Sequence, residues 1–305
     1  MLELSVVIPT FNRLDTLRFV VPSLLAQTVA PDSFEILVCD SNSTDGTAEY
    51  LAGVRAEHPN VRHIPHAYSG RAAARNGGVR AATGDVVLFN DADILADPEL
   101  MAQHLRHHRE RRRIAVVGWE VQVKSIADYE YKRDHPAERG HLHPPSRKTL
   151  RWLYFLTGNA SVRRDDLLEV GAFDESFTGY GHEDLELGYR LAKAGVPILY
   201  EPAAINYHCQ DVAPADQKEK MKLAGRSTVR FWKKHPRFDV MLNLGMTPLS
   251  LGLHSALTNA PAVLGFFDKR AATSRFARNL VEQYYYVSGM KSALDAARDE
   301  EAGLE

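Results

Sequence analysis

The chain of 305 residues carries 37 Lys and Arg against 39 Asp and Glu, a net charge of −2, with 45% apolar and 25% charged residues. This composition belongs to a folded globular protein and excludes a collagen, a disordered chain and a disulfide-stapled miniprotein. The lack of a basic surplus argues against a general nucleic-acid binder, and the length suits about two domains or one large α/β domain with an appendage.

Short apolar runs alternate with helical patterns over the first 120 residues. Leu4–Ile8 reads as a buried strand ending at Pro9-Thr10, and Leu14–Ala26 has helical spacing. Phe34–Val38 is a second strand ending at Asp40, after which Ser43 or Thr44 can cap a helix to about Arg55. Val61–Ile64, a helix over Ala72–Ala82, and a strand over Asp85–Phe89 follow. Pro98 then opens a helix. The alternation predicts parallel pairing, whose ligands sit beyond the carboxyl ends of the strands. Thr10, Asp40, Asp91 and Asp93 all fall there.

Ala127–Arg151, with three prolines and three histidines, reads as a long loop. Order returns over Leu153–Arg163. Phe173–Ala194 is a loop leading into a helix, Ile198–Tyr200 and Ala204–His208 are two short strands, and helix is expected from about Ala213. Cys39 and Cys209 read as two free thiols in a reducing compartment. No signal peptide is expected, because the opening apolar run is short and lacks a basic lead.

Three features carry chemistry. In Asp91-Ala-Asp93, residues i and i+2 of an extended turn project to one side. Two carboxylates there suit a hard divalent cation that grips a diphosphate, or else they cap the next helix. In Gly181-His-Glu-Asp184, acids in the first turn of a helix are either stabilised by its dipole or held ionised as a general base. His208 ends an apolar strand, where an imidazole can be structural or can join a carboxylate on a cation.

The runs Ser5-Val-Val-Ile-Pro-Thr-Phe-Asn12, Val38-Cys-Asp-Ser-Asn-Ser-Thr-Asp-Gly-Thr47, Gly70-Arg-Ala-Ala-Ala-Arg-Asn76 and Phe89-Asn-Asp-Ala-Asp93 resemble the family 2 glycosyltransferases. Gly158-Asn-Ala-Ser161, Gly171-Ala-Phe-Asp174 and Gly181-His-Glu-Asp184 are similar to that family's acceptor half. The resemblance spans about residues 4–208, in order. It implies a GT-A fold, Rossmann-like and mostly parallel, as a catalytic domain over 1–212, with a nucleotide-sugar half over 1–120 and an acceptor half over 121–212. A helical region over 213–305 completes the chain.

The implied donor is a nucleotide diphosphate sugar, a UDP-sugar first, bound through Pro9, Thr10, Phe11, Asp40, Ser41, Arg71, Arg75, Asp91 and Ala92. The implied metal, Mn²⁺ or Mg²⁺, falls to Asp93, Asp91 and His208. Asp184 would be the catalytic base, Glu183 would help to place the acceptor, and Gly158, Asn159 and His182 would contact it. The acceptor is a hydroxyl on a glycan, glycolipid or small molecule, and the displacement inverts the anomeric centre. The alternatives are a retaining transferase, a sugar nucleotidyltransferase, and a non-catalytic nucleotide-sugar-binding protein. The nucleotidyltransferase wants a glycine-rich loop where Pro9-Thr-Phe-Asn-Arg13 stands.

The C-terminal third is less patterned. Ala215–Lys234 is strongly basic with interspersed aromatics, and Val240–Phe267 contains no Asp, Glu, Lys or Arg. This predicts helices packed on the catalytic domain or on a dimer partner, or else peripheral membrane contact. A cytoplasmic protein, at most peripheral on the inner membrane face, is expected. The arginine cluster in His104–Arg113 reads as a solvated helix face.

Overall fold

The computed structural model describes residues 2–140, 148–210 and 213–302. The chain divides into two compact units, one of residues 1–178 and 183–211, the other of 179–182 and 212–305.

The first unit is built in the order β1 (Leu4–Thr10), α1 (Leu14–Leu25), β2 (Phe34–Asp40), α2 (Thr47–Glu57), β3 (Val61–Pro65), α3 (Arg71–Ala81), β4 (Val86–Phe89), β5 (Ile94–Ala96) and α4 (Leu100–Glu110). β6 (Ala115–Val123), α5 (Ile126–Asp134), β7 (Thr149–Leu150), β8 (Ala160–Arg163), α6 (Arg164–Glu169), α7 (Glu183–Lys193) and β9 (Ile198–Cys209) follow. One sheet runs in the order β3-β2-β1-β4-β8-β6-β9-β5, with β7 beside β9. β3, β2, β1 and β4 are parallel, as the alternation predicted. Beyond β4 the sheet is mixed, because β8 runs antiparallel to both β4 and β6. Leu4, Val6 and Ile8 with Ile36, Val38 and Leu88 form the core under α1.

Several expectations change. α2 is capped by Gly46 at φ 90°, not by Ser43 or Thr44. The glycine accepts a left-handed turn, and Ser43 instead donates to Asp40 Oδ1 at 2.6 Å. The loop expected over Ala127–Arg151 begins as α5, capped by Ser125, whose Oγ accepts from Asp128 N; residues 141–147 lie outside the described residues. The two short strands near the end of this unit are one long strand, β9. Its register against β6 slips between Gly118 and Trp119, so Glu201-Pro-Ala-Ala204 bulges without ending the pairing. Cys39 and Cys209 are both free, and burial pushes the Cys39 thiol up to about 12.

The arginine-rich helix α4 is not wholly a solvated face, since His104 and His108 are buried. Asn159 Nδ2 donates to the carbonyls of Trp119 and Ala204, so its Oδ1 must accept from His104 Nε2–H at 2.8 Å. His104 Nδ1 then accepts the Ser161 hydroxyl, and His108 Nε2–H donates to Ser161 Oγ, both at 2.8 Å. With both rings neutral, every bond in this chain has one donor and one acceptor. Burial accordingly holds their pKa values down, at about 4 for His104 and about 3 for His108.

An unfolded histidine titrates near ~6.5. The stability contributed by the neutral pair is therefore complete above pH ~6.5 and lost as pH falls toward the folded values. His108→Gln, whose amide keeps a donor for Ser161, is expected to flatten the fall in urea midpoint between about pH 6.5 and 5. Equal slopes in the two proteins would remove His108 as a cause.

The second unit contains α8 (Pro214–Lys234), α9 (Phe238–Asn243), α10 (Pro248–Thr258), α11 (Pro261–Arg270) and α12 (Arg275–Ala302). α8 and α12 pack closely at paired glycines. A Cβ on Gly225 would stand 1.9 Å from Tyr286 O, and one on Gly289 would stand 2.0 Å from Lys222 O. Val229, Val287 and Met290 fill the interior. No helix among the described residues is long and apolar enough to cross a membrane.

Candidate active site

The site is assembled at the carboxyl ends of β1, β2 and β4. Thr10 is buried there, and its hydroxyl has no hydrogen-bond partner among the described residues. Phe11, next along the chain, is exposed. Asp40 ends β2 under cover, its Oδ1 accepting from Ser43 and its Oδ2 lying 3.0 Å from His63 Nε2. His63 was not anticipated. It lies on β3 in register with Val38, a pairing that no local pattern announces.

The turn after β4 has a reason to hold its shape. Buried Asn90 donates from Nδ2 to the carbonyls of Asp91 and Ile94, at 2.9 Å each. This lets the chain pass into β5 with Asp91 and Asp93 displayed and Ala92 buried. Ile94 pairs with His208 of β9, which brings that histidine to the turn. His208 Nε2 lies 3.7 Å from Asp93 Oδ1, and its Nδ1 donates to Glu120 Oε1 at 3.0 Å. Burial works against a charge on His208, yet the nearby carboxylates of Asp93 and Glu120 raise its pKa to about 10. Burial would likewise raise the Asp93 pKa, but His208, with Arg13 and Arg71 farther off, draws it below the ordinary carboxylate value.

Aspartate oxygens with one imidazole form a donor set that suits a hard divalent cation. The acidic field that keeps a proton on His208 is the field such an ion would meet. No three His, Cys, Asp or Glu side chains among the described residues already stand at ligand spacing. Glu120 on β6 was missed by the sequence reading, which delimited no strand there.

The most informative group is Arg75 on α3. It is 2% exposed, and its guanidinium spans two acids from distant parts of the chain. Nη2 donates to Asp91 Oδ1 at 2.8 Å and Nη1 donates to Glu183 Oε1 at 2.9 Å. Its guanidinium lies 5.6 Å from the centre of the Phe173 ring. Burial disfavours the charge, but Asp91 and Glu183 more than restore it, so Arg75 stays protonated. Arg75, expected to contact donor or to fix the loop, ties the Asp-x-Asp turn to the acids at the start of α7. Glu183, 5% exposed, supports that tie, and its Oε2 lacks a partner among the described residues.

Asp184 follows at the first turn of α7 and is only partly covered. Desolvation and the neighbouring Glu183 carboxylate push its pKa up, against the pull of Arg75. The loop before α7 is held from two sides. Asn76 donates to Phe173 O and accepts from Phe173 N, and Arg190, braced by Glu186, donates to Ala172 O.

The three residues expected at the acceptor have partners and neighbours of their own. Asn159, expected at the acceptor, is consumed by His104, Trp119 and Ala204. A Cβ on Gly158 would stand 2.5 Å from Glu120 Oε2 and 2.9 Å from Ile94 Cδ1, so Gly158 lies against the ends of these two side chains. His182, at φ 73°, belongs to the second unit and is held by Thr228 Oγ1 at 2.7 Å and Tyr286 OH at 3.2 Å. A separate open groove of about 770 Å³ between α1 and α2, lined by Arg18, Tyr50 and His58 among others, contains none of the site residues.

The family model described as glycosyl transferase family 2 matches residues 5–171, more than half of the chain. The chain belongs to this family. A second model, described as the N-terminal domain of galactosyltransferase, matches residues 140–209. Among family 2 relatives, the validoxylamine A glucosyltransferase of Streptomyces hygroscopicus subsp. limoneus is 31% identical over 76% of this chain and 57% of its own length. The uncharacterized glycosyltransferase YfnE of Bacillus subtilis is 27% identical over 68% of this chain and 64% of its own. The chain therefore spans about three-fifths of the length of these curated relatives.

The fold matches the mannosyltransferase PcManGT from Pyrobaculum calidifontis, solved in complex with GDP-Man and Mn²⁺, with TM-score 0.66 at 21% identity, covering 96% of this chain and 87% of that one. S. aureus TarS matches with TM-score 0.61 at 18% identity, covering 98% and 92%. The architecture of this family 2 chain is thus the GT-A sheet with a helical C-terminal region.

Proposed function

We propose that the chain transfers a sugar from a nucleoside diphosphate sugar to a hydroxyl acceptor in a single, metal-dependent, inverting displacement. The observation that carries this reading is the Arg75 bridge, which couples Asp91 of the donor-side turn to Glu183 beside Asp184. Donor chemistry and a proton acceptor then share one cleft. Structural neighbours solved with GDP-Man and Mn²⁺ and with UDP-GlcNAc support a donor of this class.

In the displacement, the acceptor oxygen bonds to the anomeric carbon, the bond from that carbon to the diphosphate breaks, and the hydroxyl proton goes to the Asp184 carboxylate. Asp184 acts late, since a carboxylate is a weak base toward a free alcohol. Asp93, Asp91 and His208 would hold the cation, which when bound supplies charge neutralisation for a diphosphate. Thr10 and Phe11 line the base and ribose pocket with Pro9 and Ser41. We assign the donor as a UDP-sugar, whose uracil N3–H would donate to the Asp40 carboxylate; guanine N1–H would donate there as well, so the comparison of UDP with GDP decides the nucleotide.

UDP with Mn²⁺ is expected to raise the melting temperature, and UDP with chelator to raise it far less. Asp93→Ala should abolish the difference. Equal shifts with and without the metal would remove metal dependence from this reading, and stronger stabilisation by GDP would overturn the uridine assignment. Product anomeric configuration by NMR decides inversion: a retained centre rules out the single displacement.

A further inference from the structure

The second unit turns its amphipathicity outward. The inward side of α10 is polar in part: His254 Nε2 lies 2.9 Å from Ser288 Oγ, and its ring stacks on Tyr284 at 4.6 Å. The outward side carries Leu249, Gly252, Leu253 and Ala256, spaced i, i+3, i+4 and i+7 on one stripe, with Leu249 82% exposed. α11, packed against α10 and α12, exposes Val263 and Phe266, and α9 exposes Phe238 and Leu242. A helix that buries a histidine and presents leucines is built for surroundings other than water.

The charge pattern says which surroundings. No Asp, Glu, Lys or Arg occurs from Val240 to Phe267. Both borders carry exposed cations, Lys233 and Arg237 before the stretch and Lys269, Arg270 and Arg275 after it; the exposed Asp239 at the first border pairs with Arg237 at 3.0 Å, which leaves Lys233 as that border's cation outside this pair. The nearby acid Asp268 is engaged by Lys218 at 2.7 Å, and Arg270 lies 4.3 Å from the centre of the Phe266 ring. In a two-fold dimer the patch would meet itself and bring cationic borders together. An anionic surface satisfies both borders at once. α10 and α11, of 11 and 10 residues, are too short to span a bilayer and suit a position in its plane.

We propose that α9–α11 form a docking face for an anionic lipid bilayer, with the exposed leucines and phenylalanines entering the acyl boundary and the bordering cations meeting lipid phosphates. The face lies outside the catalytic residues, so its test is separate from that of the transfer reaction.

The test is sedimentation of the full chain with vesicles of phosphatidylcholine alone and of an equal mixture with phosphatidylglycerol, at low and high salt. Binding is expected only to the mixed vesicles and weakens with salt. Leu249→Asp/Leu253→Asp, at exposed positions that leave the fold intact by circular dichroism, is expected to lower partitioning by about tenfold or more. Lys269→Glu/Arg270→Glu should weaken binding to the mixed vesicles as well. Failure to bind mixed vesicles at low salt overturns the proposal, as does binding that the leucine substitutions leave unchanged. A concentration-dependent dimer that those substitutions break, without vesicle binding, also overturns it and assigns the face to a second copy of the chain.

Discussion

Asp184→Asn should lower turnover by at least about 10²–10⁴-fold while leaving donor affinity nearly unchanged. The amide keeps the shape of the side chain and can still accept the bond from Leu185 N at 2.8 Å, so the start of α7 is preserved. What it loses is the ability to take a proton. The pH profile gives a second readout. Asp184 must be ionised to act, and desolvation with the Glu183 charge raises its pKa above the ordinary carboxylate value. Activity should therefore rise with pH through a midpoint higher than that of a free aspartate, and this limb should vanish in the residual activity of the variant. Turnover within tenfold of the parent protein, or an equal loss of donor binding measured by calorimetry, would place the base elsewhere.

Arg75→Met is expected to affect stability and activity together. The guanidinium and Glu183 are both almost fully buried, and each neutralises the other. Removing one partner of such a pair costs about 3–5 kcal/mol, because the remaining charge is left uncompensated in a poor solvent. The melting temperature should fall accordingly, and turnover should fall as Asp91 and Glu183 lose their common anchor. Arg75→Met/Glu183→Gln separates the two effects. With the stranded carboxylate gone, much of the stability should return, while turnover stays low because the tie across the cleft is still missing. Recovery of turnover in the double variant would show that Arg75 serves stability alone. Arg75→Lys should fall between the parent protein and Arg75→Met, since an ammonium cannot reproduce the two-pronged geometry.

The parallel half of the sheet was legible because its strands are short apolar runs separated by helical periods, and such runs have few other ways to be buried. The Asp-x-Asp turn, the acids before Leu185 and His208 stood out because they interrupt or end those runs. Less legible were β5, of three residues, and the bulge within β9, since neither leaves a periodic trace. Helix α5 hid in a segment rich in histidine and charge, where stability comes from the Ser125 cap and from Tyr129 buried against Tyr207 of β9.

Residue types and their order along the chain were enough to specify the layered α/β architecture, the strand ends that carry acids, and membership of the glycosyl transferase family 2 pattern. They could not specify partners. Arg75 and Glu183 are 108 positions apart, His208 and Glu120 are 88 apart, and Asn159 and His104 are 55 apart. Each pair forms only when the sheet sets its register and the helices settle on it. The roles of Arg75, Glu183 and Asn159 as ties and braces follow from burial, which makes an unpaired polar group costly and so obliges each to find a partner inside the fold.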